Sequence, residues 1–138
     1  MYKSDIRLIT NEKGLDVIKE LCEKESKEFL DMLKSKEIIR QKAADLIYIG
    51  WDNMNGYDAD IIENALISLD EQDITYKVAI KGENYEDISI YEHISESDIN
   101  RNIPMPYIER IFNEDEIKEE LQKITEQEKS SEIETIDY

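Results

Sequence analysis

Asp52, Asp58, Asp60 and Glu63 occupy the first, seventh, ninth and twelfth positions of the window Asp52-Asn-Met-Asn-Gly-Tyr-Asp-Ala-Asp-Ile-Ile-Glu63, the spacing at which a calcium loop sets acidic ligands. The remaining positions do not fit. Met54 and Gly56 stand where the third and fifth ligands belong, and Tyr57 stands where a glycine must make the sharp turn. The window therefore reads as a turn at Asn55-Gly56 followed by carboxylates that favour the positive end of a helix, with no metal and no cofactor expected.

Other reactive residue types are sparse. His93 is the only imidazole, no nucleophile elbow surrounds any serine, and Cys22 falls on the apolar stripe of a helix, a setting for packing rather than reactivity. The four glycines form no phosphate-cradling pattern, and a single cysteine rules out a zinc ribbon. Paired carboxylates are abundant, but with 34 acids they arise by chance, and a chain of net charge −17 repels a polyanionic substrate. No catalytic residue is assigned; the expected protein is not an enzyme and does not bind nucleic acid directly.

The charge is unevenly distributed. Residues 1–36 carry eight acids and eight bases, whereas residues 37–138 carry 26 acids and nine bases. Ala43 to Tyr76 holds eight acids and Gly82 to Asn100 six, both without Lys or Arg. A field of one sign concentrates cations and basic surfaces. Tyr and Trp beside carboxylates make good contacts for arginine-rich surfaces, although alternating tyrosines are also ordinary sheet packing. The partner-binding residues expected on this basis are Asp52, Asp58, Asp60, Glu83, Glu86 and Asp87, with Trp51, Tyr57 and Tyr85 as anchors.

These residues must be held by a domain of modest size. A chain of 138 residues fits one domain with a core of its own, here residues 1–125, followed by a flexible acidic tail over 126–138. One cysteine suits a reducing, cytoplasmic setting, the start lacks a signal-peptide pattern, and no apolar run is long enough for a membrane span. Alternation predicts strands at Asp5–Ile9, Glu37–Lys42, Asp45–Trp51, Tyr76–Ile80 and Ile88–Ile90, with a turn over Gly82–Glu86. Helical spacing predicts helices over 13–34, interrupted at Glu25-Ser26, and from Ile61 to Asp70 with Asp60 and Glu63 as a capping box. Asp52–Gly56 reads as a loop. Tyr107–Phe112 reads as an edge strand, and Asn113 caps a short last helix carrying Ile117, Leu121 and Ile124. The order is that of an α+β, ferredoxin-like (βαββαβ) core with one or two extra strands and a short C-terminal helix, its helices on one face of the sheet.

Leu46-Ile-Tyr-Ile-Gly-Trp-Asp52, the helix Ile61 to Leu69, and Tyr76-Lys-Val-Ala-Ile-Lys-Gly-Glu-Asn-Tyr-Glu-Asp87 together resemble a loose group of small acidic proteins of Gram-positive bacteria and their phages or mobile elements. The likeness spans about residues 45–90 and carries no known activity; it implies the setting of a small inhibitor or adaptor. The expected function is a non-enzymatic acidic binding protein that engages a basic, nucleic-acid-binding protein, as a DNA-mimic inhibitor would. The alternative is a ferredoxin-like accessory domain that binds a partner or small ligand through its sheet, its acidity serving solubility.

Overall fold

The structure, a computed structural model, describes residues 2–84, 87–108, 111–112 and 114–129. Its centre is β1 (Lys3–Asn11), paired antiparallel on one side with β3 (Leu46–Asn55) and on the other with β4 (Tyr76–Gly82). Strand β2 (Glu37–Ala43) extends the sheet beyond β3 and β5 (Ile88–His93) extends it beyond β4, giving the order β2-β3-β1-β4-β5. The mixed α+β class expected from the sequence is therefore present, with a five-stranded antiparallel sheet.

Two helical connections each pass over one strand. Helices α1 (Glu12–Glu25) and α2 (Lys27–Ser35) lead from β1 to β2 across β3, and α3 (Gly56–Glu71) leads from β3 to β4 across β1. All three pack on the same sheet face, where Ile6 and Leu8 of β1, Ile49 and Trp51 of β3, and Val78 of β4 meet Ile18, Leu33, Ile62 and Leu69. Period-two alternation puts these strand residues on one face, and a 3.6-residue repeat gathers the helical ones into stripes. The predicted 13–34 helix is broken in two because Ser26 is extended, with φ −172°, and its hydroxyl accepts from Phe29 N–H at 2.9 Å, capping α2.

Helices are not confined to one face. α4 (Glu114–Lys129) lies on the other side, where Ile117, Leu121 and Ile124 join Ile9, Leu46, Tyr48 and Ile103 in a second core. This helix also extends into the expected tail, to Lys129, because Thr125 and Ile124 are buried and Arg101 reaches Glu128 in its last turn. Residues 130–138 and the expected cap Asn113 lie outside the described residues. Tyr107–Phe112 is not an added edge of the main sheet: β6 (Tyr107–Ile108) and β7 (Ile111–Phe112) pair with each other.

The expected loop Asp52–Gly56 is also absent as such. β3 continues to Asn55 because β1 pairs with it as far as Lys3, through an irregularity at which Asp5 stands opposite Asp52 and Asn53. Asn53 takes φ 57°, and its N–H donates to Asp5 Oδ1 at 2.9 Å. An extra residue on one strand is a bulge, and a short polar side chain tolerates the left-handed backbone there. Asn55, rather than Asp60, then caps α3 by accepting from Asp58 N–H at 2.8 Å.

Candidate functional site: an acidic sheet end and the trough beside it

The register brings the middle of the first cation-free stretch and the start of the second to one end of the sheet. Lys3 stands opposite Asn55, and the next residue, Ser4, stands opposite Gly82, so the start of α3 and the turn after β4 flank the first residues of β1. The N-terminal segment is strapped to that turn: Tyr2 hydroxyl donates to Asp87, Asn84 N–H donates back to Tyr2 Oη at 3.3 Å, and Lys3 N–H donates to Glu83 Oε1 at 3.2 Å. The Asp87 carboxylate holds the Tyr2 phenol above its ordinary value.

Asp60, Glu83 and Asp87 are exposed at this end, and Tyr57 on the first turn of α3 is 68% exposed. Three of the expected contact residues are placed elsewhere. Trp51 is only 1% exposed and donates its indole N–H to the Leu33 carbonyl at 3.0 Å, so it is a core residue and no surface anchor. Asp58 is buried in the first turn of α3 and has no surface to offer a partner. Asp52 is half-exposed but belongs to the other sheet face, where it receives Arg7 Nη1 at 2.9 Å. Arg7 lies flat over Gly50, where a Cβ would stand 2.8 Å from its Cδ. Tyr85 and Glu86 lie outside the described residues.

Chemistry drawn from the calcium-like spacing has no geometric basis. The window Asp52–Glu63 is the end of a strand followed by the start of a helix, so Asp52 and Glu63 sit on different faces, and among the described residues no three His, Cys, Asp or Glu side chains gather as a metal site. His93, opposite Tyr76 in the register, is engaged by acids: Nε2 is 2.7 Å from Asp73 Oδ1 and Nδ1 is 3.7 Å from Asp70 Oδ1. Cys22 is buried, and that burial, reinforced by Glu25, pushes its thiol up to about 11. A thiol so protonated at neutral pH is a poor nucleophile.

A trough not foreseen from the sequence runs between α3 and the β4–β5 hairpin. One cavity of about 250 Å³ at the acidic end is lined by Tyr2, Ala59, Asp60, Glu63, Ile80 and Asp87 among others. A second, of about 370 Å³, is lined by Glu63, Leu66, Ile67, Asp70, Tyr76 and Tyr91, with Asn64. Glu63 lines both. The helical half was visible as the spacing of residues 63, 66, 67 and 70 on one face of α3, but Tyr91 arrives from β5, and only the pairing of Tyr91 with Val78 brings it there. Burial, followed by the charge of Asp60 and a hydrogen bond with it, pushes the Glu63 carboxyl up. Burial and the Asp70 carboxylate, which accepts the Tyr76 hydroxyl at 2.9 Å, push the Tyr76 phenol up.

Among the described residues no helix is long and apolar enough to cross a membrane. No family model, curated protein or solved structure matches this chain.

Proposed function

We propose that this chain is a non-enzymatic binding protein whose acidic sheet end engages a basic, nucleic-acid-binding protein in the manner of a DNA mimic, in a phage or mobile-element setting. The observation that supports this reading is that Asp60 of the first cation-free stretch and Glu83 and Asp87 of the second, distant in sequence, come together beside the start of β1. Asp60, Glu83 and Asp87 are its surface carboxylates and Tyr57 its exposed aromatic. Lys3 and Lys81 belong to the same end, Lys81 opposite Asp5, so the end is acidic in net balance rather than free of bases. The partner residues now assigned are fewer than the sequence suggested, because burial removes Trp51 and Asp58.

The scaffold is read in the same way. We read strands one to four, in the order β2-β3-β1-β4 with helices over the two crossovers, as a ferredoxin-like core with β5 added at the β4 edge.

The test is affinity capture from a low-GC Gram-positive lysate at low and high salt, with duplex DNA as competitor, using the wild-type chain and an Asp60→Asn/Glu83→Gln/Asp87→Asn variant. A basic protein retained only at low salt, released by duplex DNA and lost with the variant is the expected result. Retention that resists salt and DNA, or is unchanged in the variant, would refute the mimic and favour recognition through the sheet.

A further inference from the structure

The trough beside α3 has carboxylates at its ends and apolar groups between them. Asp60 and Asp87 stand at one end, Asp70 at the other, and Glu63 lies where the two cavities meet. Leu66, Ile67, Ile80 and Ala59 supply the apolar lining, and the rings of Tyr76 and Tyr91 face Asp70 from the sheet side. Among the described residues no Lys or Arg lines either cavity; the one titratable base near Asp70 is His93. Asp60 and Asp70 are ten positions apart on one helix, a separation of about 15 Å at 1.5 Å per residue.

We propose that this trough binds a linear aliphatic polyamine, with ammonium groups at the Asp60–Asp87 end, at Glu63 and at Asp70, and methylenes along Leu66, Ile67 and Tyr91. The alternation of charge and hydrocarbon along the trough is that of the ligand. An extended tetraamine has a reach similar to the Asp60–Asp70 separation, and an ammonium near Tyr91 gains from the ring face as well as from the carboxylate. A divalent metal fits poorly, because it needs oxygen ligands gathered around one point and these carboxylates are strung along a line. The larger cavity is within the range of small-ligand pockets and the smaller lies just below it. Burial pushes the Glu63 carboxyl up and an ammonium beside it opposes that shift, so cation binding at this group releases protons and weakens as pH falls. This inference shares Asp60 and Asp87 with the basic-partner reading, and Glu63, Asp70 and Tyr91 distinguish the two.

Calorimetric titration with spermine at physiological salt tests it, with Mg²⁺ at matched charge and butylamine as comparison ligands. The expected result is saturable one-site binding of spermine, with Mg²⁺ and butylamine at least tenfold weaker. Glu63→Gln/Asp70→Asn is expected to weaken spermine at least tenfold. An Asp16→Asn/Glu20→Gln pair on the exposed face of α1, which removes the same charge, retains wild-type affinity. Tyr91→Ala, at an exposed position that does not jeopardise folding, is expected to weaken binding several-fold. Equal weakening by the α1 pair, equal affinity for Mg²⁺, or no saturable binding would overturn the proposal.

Discussion

Replacing Arg101 by Met should weaken the joint between the 3₁₀ turn at Glu96–Asp98, the β2–β3 turn and the last turn of α4. Its guanidinium joins three otherwise separate places: Nη1 is 2.8 Å from Asp45 in the β2–β3 turn and 3.2 Å from Asp98 in the 3₁₀ turn at Glu96–Asp98, and Nη2 is 2.7 Å from Glu128 in α4. The three carboxylates differ in exposure, at 59% for Asp45, 10% for Asp98 and 34% for Glu128. Solvent screens the first almost entirely, so the loss rests on Asp98 and, less, on Glu128. An exposed pair is worth about 0.5 kcal/mol and stranding a buried carboxylate about 3 to 5 kcal/mol, but Asp98 keeps the Thr75 hydroxyl at 2.5 Å and the Ser95 hydroxyl at 3.1 Å, so the expected loss is about 3 kcal/mol. Methionine preserves most of the aliphatic stem, which separates lost charge from lost packing. Urea unfolding measures the loss, and hydrogen exchange should show it around the 3₁₀ turn at Asp98 and, less, in the last turn of α4. A loss below about 1 kcal/mol would refute the view that this guanidinium is the clamp.

The same group carries a pH signature. Burial pushes the Asp98 carboxyl up, but the hydroxyl of Thr75, Arg101 and the hydroxyl of Ser95 outweigh it and hold the carboxyl below its ordinary value. A carboxylate with a lower value when folded contributes stability that is present above its unfolded value, about 4, and is lost as pH falls through the folded one. Arg101→Met should therefore make the acid limb of the stability curve shallower.

Three further outcomes are expected. Ala44, at φ 56° in the two-residue turn between Ala43 and Leu46, occupies a conformation that favours glycine, and Ala44→Gly should stabilise the fold by about 0.5 to 1 kcal/mol, read as a higher denaturation midpoint at unchanged slope. Ser26→Ala removes the cap that separates α2 from α1 and should cost about 1 kcal/mol; no loss would mean that α2 is held by packing alone. Raising ionic strength should raise Tm, because a net charge of −17 repels itself in the compact state, and a flat response would mean that pairing with the 17 bases already offsets that repulsion.

The elements with a strong period are legible in the sequence, and the rest are those where a local signal competes with strand pairing. Asp52-Asn-Met-Asn-Gly56 has the composition of a loop, yet β1 pairs with it, so its last asparagine becomes a cap and its aspartate a sheet residue. Ile47, Ile49 and Trp51 share a face by alternation, which marks Trp51 as core, whereas the acidic composition around it points to the surface. The meeting of Asp60 with Glu83 and Asp87 beside the start of β1 is not readable, because it depends on β1 separating β3 from β4. For the same reason the trough, half helix and half distant strand, left no contiguous trace.

The position of β1 also governs when the sheet can close. The central strand is synthesised before both of its neighbours, and roughly 65 residues separate its end at Asn11 from the start of β4 at Tyr76. At about 5 to 20 residues per second, the nascent strand waits several seconds for its second neighbour. During that interval Ile6, Leu8 and Ile9, fully buried in the finished domain, have no complete sheet to enter. Asp5 and Arg7, interleaved with them, place opposite charges along the waiting strand and discourage its pairing with other nascent chains.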